Sequence, residues 1–141
     1  MRRALARSLL VVLVAAPACG PPDPAAAPEC VDGVLTAYRA TVEPATELGR
    51  VLAGGRAPAL ERRAAAASYR AAARDAAEVA RECAGDAETR CRETLEALET
   101  GLRAAAEFDP AASRGDPATA FDGRRAQLEG AAAEVVNCDT S

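Results

Sequence analysis

The chain has 141 residues, with 17 Arg, no Lys, 21 Asp+Glu and no His, giving a formal charge of −4. That length suits one domain. The absence of His excludes a His general base, a His-ligated haem and a His metal site. An acidic balance with 2 Phe, 2 Tyr and no Trp argues against nucleic-acid binding. The apolar half of the chain is mostly small, since 38 Ala accompany 12 Leu and 10 Val with no Ile.

Arg2, Arg3 and Arg7 open the chain, and the apolar run Leu9-Leu10-Val11-Val12-Leu13-Val14-Ala15-Ala16 follows them. Pro17-Ala18-Cys19-Gly20 come next. A positive start, a short apolar core and small residues before a cut site are the physical parts of an export signal. The run falls short of the roughly 20 apolar residues that a membrane-spanning helix needs. Ala16-Pro17-Ala18-Cys19 resembles the lipobox of a bacterial lipoprotein signal, although Ala16 stands where that box usually has Leu. The resemblance covers only the first 19 residues. It implies cleavage before Cys19, a diacylglycerol on the Cys19 sulfur and an anchor in the cell membrane or outer membrane. Ala16-Pro17-Ala18 also fits ordinary secretory cleavage, which would leave a plain secreted protein.

Residues 1–18 are thus expected to be a signal peptide. Residues 19–28 follow as the lipidated Cys with a Pro/Ala-rich tether, Gly20-Pro21-Pro22-Asp23-Pro24-Ala25-Ala26-Ala27-Pro28, extended at roughly 3 Å per residue. Residues 29–139 form the folded domain.

That domain reads as all-α, because Ala, Glu, Arg and Leu dominate and β-branched residues are sparse. Breakers divide it into four helices, A over 29–53, B over 58–84, C over 87–108 and D over 117–138. Pro44 should kink or split A near Val42-Glu43. Gly85 should close B, and Asp86 should cap C. Asp116-Pro117 should start D with a cap and a first-turn proline. Val31, Val34, Leu35, Tyr38, Val42, Ala45, Leu48 and Leu52 form an apolar stripe along A. Cys91, Leu95, Leu98, Leu102 and Ala105 form one along C, and Phe121, Leu128 and Val135 repeat every seven along D. The stripe of B, Tyr69, Ala73, Ala76, Ala80 and Cys83, is almost entirely small and suits close helix approach. Short connections make consecutive helices antiparallel, which predicts an up-down-up-down four-helix bundle.

That topology places Cys30, Cys83, Cys91 and Cys138 at one pole. With Cys19 lipidated, these four make an even set for two disulfides. The pairing expected is Cys83–Cys91, stapling the B–C hairpin, with Cys30–Cys138 tying the first helix to the last. Its rival is Cys30–Cys83 with Cys91–Cys138. The absence of both a C-x-x-C pair and His argues against zinc.

Arg63, Arg70, Arg74 and Arg81 fall on one stripe of B, a weak anion-binding candidate whose plainer reading is a solvated face paired with Glu78 and Glu82. No nucleophile motif such as G-x-S-x-G appears, and no catalytic, cofactor or metal residues are assigned. The sequence thus predicts an envelope lipoprotein whose bundle is a structural or protein-interaction module. Its partners would be the membrane, through acylated Cys19, and an unidentified envelope protein. The alternative is a carrier or sensor with a small apolar ligand among Tyr38, Tyr69, Leu98 and Leu102.

Overall fold

The computed structural model describes residues 26–138. The expected signal peptide, Cys19, the tether as far as residue 25 and the last three residues lie outside them. The described residues form five α-helices and no strand: α1 (Pro28–Arg39), α2 (Val42–Ala53), α3 (Ala59–Asp86), α4 (Thr89–Ala106) and α5 (Pro117–Val136). A single 3-10 turn, Pro110–Ala112, stands between α4 and α5.

The expected helix A is divided into α1 and α2, and Pro44 supplies the reason. It lies in the first turn of α2, where a missing N–H leaves no helical bond unmade. Continuing α1 through it would drive the ring against the carbonyl four residues back, that of Ala40. The break accordingly falls at Ala40 and Thr41, just before the Val42-Glu43 position expected. Both residues keep right-handed helical dihedrals, so the axis bends without reversing. Thr41 is buried there, and its Oγ1 donates to Tyr38 O at 2.6 Å. One consequence concerns Val42, which leaves the predicted stripe and is 42% exposed.

Two further boundaries differ from expectation. Helix α3 runs through Gly85 to Asp86, so Gly85 does not close it and Asp86 does not cap α4; Glu88 precedes α4 instead. Ala26 is buried against the core and Pro28 opens α1, so the last tether residues belong to the folded domain. Asp116 behaves as its position predicts. Its carboxylate accepts from the Thr119 N–H at 3.1 Å and from Thr119 Oγ1 at 2.7 Å, and Pro117 follows it in the first turn.

Helix α3 is the central element, packed against α1, α2 and α4, while α5 closes over α4, α2 and α1. With 28 residues it spans about 42 Å. Its buried face is Ala65, Ala66, Tyr69, Ala73, Ala76, Ala77, Ala80, Cys83 and Ala84. The bulk comes from its neighbours: Leu95, Leu98 and Leu102 of α4, Phe121 and Val135 of α5, Leu48 and Val51 of α2, and Val31 and Val34 of α1 are all nearly or fully inaccessible. Tyr69 meets Phe121 edge-on with ring centroids 5.3 Å apart, and Phe108 lies 5.5 Å from the same ring.

The disulfides are Cys30–Cys83 and Cys91–Cys138, with Cα separations of 5.6 and 5.5 Å. This corrects the expected Cys83–Cys91 and Cys30–Cys138 pairing. The reason is helix phase. Cys83 continues the Ala73-Ala76-Ala80 face, and Cys30 lies one turn before Val34, so this pair ends the α1–α3 contact. Cys91 continues Leu95-Leu98-Leu102, and Cys138 lies three residues beyond Val135, so the second pair ends the α4–α5 contact. Each bridge therefore joins two helices across a buried seam, and neither spans the α3–α4 turn. The closed loops, with separations of 53 and 47, follow each other along the chain without overlap. In the chain-entropy model each contributes about 4 kcal/mol.

Candidate functional site

The arginine stripe predicted on B does not act as one group. Along α3, Arg63 and Arg81 are separated by about 27 Å. Arg81 forms an ion pair with Glu78 at 2.8 Å, and the other oxygen of Glu78 meets Arg103 of α4 at 3.4 Å. Those bonds hold the Glu78 carboxyl below its ordinary range, led by the hydrogen bond from Arg81. Arg74 is exposed. Arg63 and Arg70, in contrast, line a cleft of about 480 Å³ at the start of α3.

Two chain connections build that cleft. Between α2 and α3, Gly54-Gly55-Arg56-Ala57-Pro58 turns with Gly55 at φ +62°, a left-handed conformation that favours glycine, and Pro58 then releases the chain into α3. Between α4 and α5, Asp109 ties its carboxylate to the Ala111 N–H at 2.9 Å, while its own carbonyl accepts from Ser113 Oγ at 3.2 Å. Leu52, Ala59, Ala66, Pro110 and Pro117 supply apolar wall; Arg62, Arg63, Arg70, Asp109 and Asp116 supply charge.

Both carboxylates are committed to local bonds. Asp109 binds the Ala111 N–H, and Asp116 is held below its ordinary pKa chiefly by the Thr119 side-chain hydrogen bond. The guanidiniums are less engaged. Arg70 donates from Nη1 to Phe108 O at 3.3 Å. Among the described residues neither Arg62 nor Arg63 forms an ion pair. Arg62 and the expected Arg63 thus converge with Arg70, whereas Arg74 and Arg81 stand apart. Sequence periodicity misses Arg62 because it lies about 100° around the helix from Arg63. The available signal was the position of two Gly/Pro-rich connections at the same end of the domain.

A second depression, about 460 Å³, lies between α2 and α3 beside Glu43, Glu47 and Glu61. Arg50 reaches both Glu47, at 2.6 Å, and Glu61, at 3.2 Å, so its acidic rim is an exposed ion-pair network. The residues expected to surround a small apolar ligand are Tyr38, which is half-buried, and Tyr69, Leu98 and Leu102, which are buried. Leu98 and Leu102 are fully buried, and the crevice beside the two tyrosines measures about 10 Å³. That is room for at most about one water. Desolvation raises both tyrosine pKa values; the Glu129 charge adds to the effect at Tyr38, and Tyr38 adds to it at Tyr69.

Among the described residues no group of three or more His, Cys, Asp or Glu is arranged to hold a metal ion, and no helix is long and apolar enough to cross a membrane. No protein-family model, curated protein or solved structure matches the chain.

Proposed function

We propose that this chain is an exported lipoprotein, anchored through acylated Cys19, whose helical domain serves the envelope as a structural or protein-interaction module. The observation that carries this reading is the cysteine set. Four of the five cysteines are joined in two bridges, which leaves Cys19 alone at the end of a lipobox-like segment. Disulfides of this kind belong to oxidising compartments. A stray thiol in such a compartment would cross-link or oxidise, and thioether formation at Cys19 removes that hazard.

The domain is best described as an up-down-up-down bundle with its bridges at one pole, α1 and α2 together making the first arm. Several contacts support the alternation. Cys30 at the start of α1 meets Cys83 near the end of α3, Arg70 of α3 reaches the carbonyl after α4, and Cys91 at the start of α4 meets Cys138 after α5. The tether enters at the bridged pole, so the membrane lies on that side. The full burial of Leu98 and the crevice of only about 10 Å³ beside the tyrosines favour a structural module over a carrier with an internal ligand.

Thiol counting and fractionation test this together. Protein from its native host, denatured without reductant, should show no free thiol and should carry an acyl mass. The Cys19→Ser variant should leave the membrane fraction. One free thiol and a soluble wild type would replace the anchor with plain secretion. Four or more free thiols would overturn export itself.

A further inference from the structure

We propose that the cleft between the start of α3 and the two Gly/Pro-rich connections binds a small organic carboxylate with a short apolar body. Three guanidiniums, Arg62, Arg63 and Arg70, border it against two carboxylates, Asp109 and Asp116. The cleft is therefore locally cationic in a chain whose formal charge is −4. The nearby carboxylates do not neutralise the guanidiniums by pairing. Asp109 is bonded to the Ala111 N–H and Asp116 to Thr119, and none of the three arginines forms an ion pair among the described residues.

Four arginines elsewhere are matched with glutamates, namely Arg50 with Glu47 and Glu61, Arg81 and Arg103 with Glu78, and Arg125 with Glu129. Others, such as Arg39, Arg74 and Arg90, form no ion pair among the described residues. What sets the cleft apart is that three arginines without ion pairs border one apolar-walled space. A bidentate anion would supply what the cleft lacks, because a guanidinium donates two parallel N–H bonds to one carboxylate. Leu52, Ala66, Pro110 and Pro117 give the apolar wall against which the rest of the ligand packs. At about 480 Å³ the volume lies within the range of small-molecule sites. A wholly inorganic anion would leave this wall uncovered, and a neutral molecule would leave the guanidiniums unmatched.

Along α3, Arg63 is about 30 Å from the Cys30–Cys83 bridge, at the end away from the tether. The ligand therefore comes from solution and not from the lipid surface. That orientation rests on the anchoring reading; the binding itself does not, and the test below uses the full chain whether or not Cys19 is acylated.

The probe is hexanoate, followed by residue-resolved NMR on the oxidised protein, with hexanol and inorganic phosphate titrated in parallel. The expected result is saturable binding with a Kd near or below about 1 mM. Shifts should centre on Leu52, Arg62, Arg63 and Arg70, and hexanol or phosphate should bind at least about tenfold more weakly. Arg62→Gln combined with Arg63→Gln should lower hexanoate affinity by about tenfold or more with an unchanged thermal midpoint, since neither side chain forms an ion pair in the fold. Equal binding of hexanol overturns the proposal, as does unchanged affinity in the double variant. The wild-type comparison of hexanoate with hexanol decides the matter even if the variant is unstable. Failure here leaves the thiol count and the fractionation of the Cys19→Ser variant untouched.

Discussion

Helices α3 and α4 lie side by side and bury themselves by opposite means. Along α3 the covered positions are Ala65, Ala66, Ala73, Ala76, Ala77, Ala80 and Ala84, with Tyr69 and Cys83 as its larger members. Along α4 they are Cys91, Leu95, Leu98, Leu102 and Ala105. A face of methyl groups contributes little transfer free energy per residue, but it lets neighbouring backbones approach closely and leaves few rotamers to freeze. A leucine seam contributes far more per side chain and depends on filling the space opposite. The alanine helix is therefore the floor on which α1, α2 and α4 rest, and the leucine helix is the plug between that floor and α5. Each face ends in a bridged cysteine, Cys83 joined to Cys30 of α1 and Cys91 to Cys138 just after α5.

The largest expected effect comes from opening either bridge. Replacing Cys91 and Cys138 together by Ser should destabilise by about 4 kcal/mol, and the Cys30/Cys83 pair by nearly the same amount, because the closed loops are similar in length. Chemical denaturation of each double variant against wild type measures this. A large inequality between the two would show that one seam holds the fold without its bridge. Leu98→Ala comes next, at about 3 kcal/mol, because its site is fully buried and ringed by other core side chains. The reverse change on the floor, Ala80→Leu, should cost about 1–3 kcal/mol by overpacking, since Ala80 has no exposed surface. If Ala80→Leu were neutral, the close approach attributed to the alanine face would be wrong.

Glycines refine the same contrast on a smaller scale. A Cβ at Gly130 meets nothing within 4 Å, so Gly130→Ala should stabilise α5 by up to about 1 kcal/mol through helix propensity alone. At Gly101 on α4 a Cβ would lie 3.1 Å from Leu128 Cδ1, so the same substitution should gain less, because Leu128 must shift to admit it. Thermal unfolding of both variants ranks them, and a larger gain at Gly101 would mean that the α4–α5 seam is looser than its contacts indicate.

Much of this contrast was legible in the sequence. The alanine and leucine stripes and the Asp116 cap follow from spacing, because helical period fixes which residues share a face. What spacing does not fix is which neighbour that face meets. Cys83 and Cys91 are both close to the α3–α4 turn, yet their faces continue into different seams, so proximity to the turn misleads about pairing. Gly85 is similar: its backbone freedom suits a terminus, but α3 retains it as an ordinary helical residue. The Arg62–Arg63–Arg70 cleft depends on how two loops distant in sequence fold over one helix end, and a single helix's periodicity carries no record of that.

The tyrosines at the α1–α3 contact give the subtlest test, since it leaves neutral-pH stability unchanged. Tyr69 is 2% exposed and Tyr38 is half-buried. Desolvation raises both pKa values above the ordinary phenol value, favouring the neutral, protonated form in the fold. In the unfolded chain each phenol ionises near about pH 10. The stabilisation is therefore fully present below that pH and is lost as the pH rises through the folded values, where ionisation would place charge in the core. With no Trp in the chain, the near-ultraviolet phenolate band reports these two groups alone. Folded protein should titrate later than denatured protein, Tyr38 first and Tyr69 after it, since the Tyr38 charge raises its neighbour further. A single step coinciding with the denatured titration would place both hydroxyls in water and dissolve the packing on which the alanine floor depends.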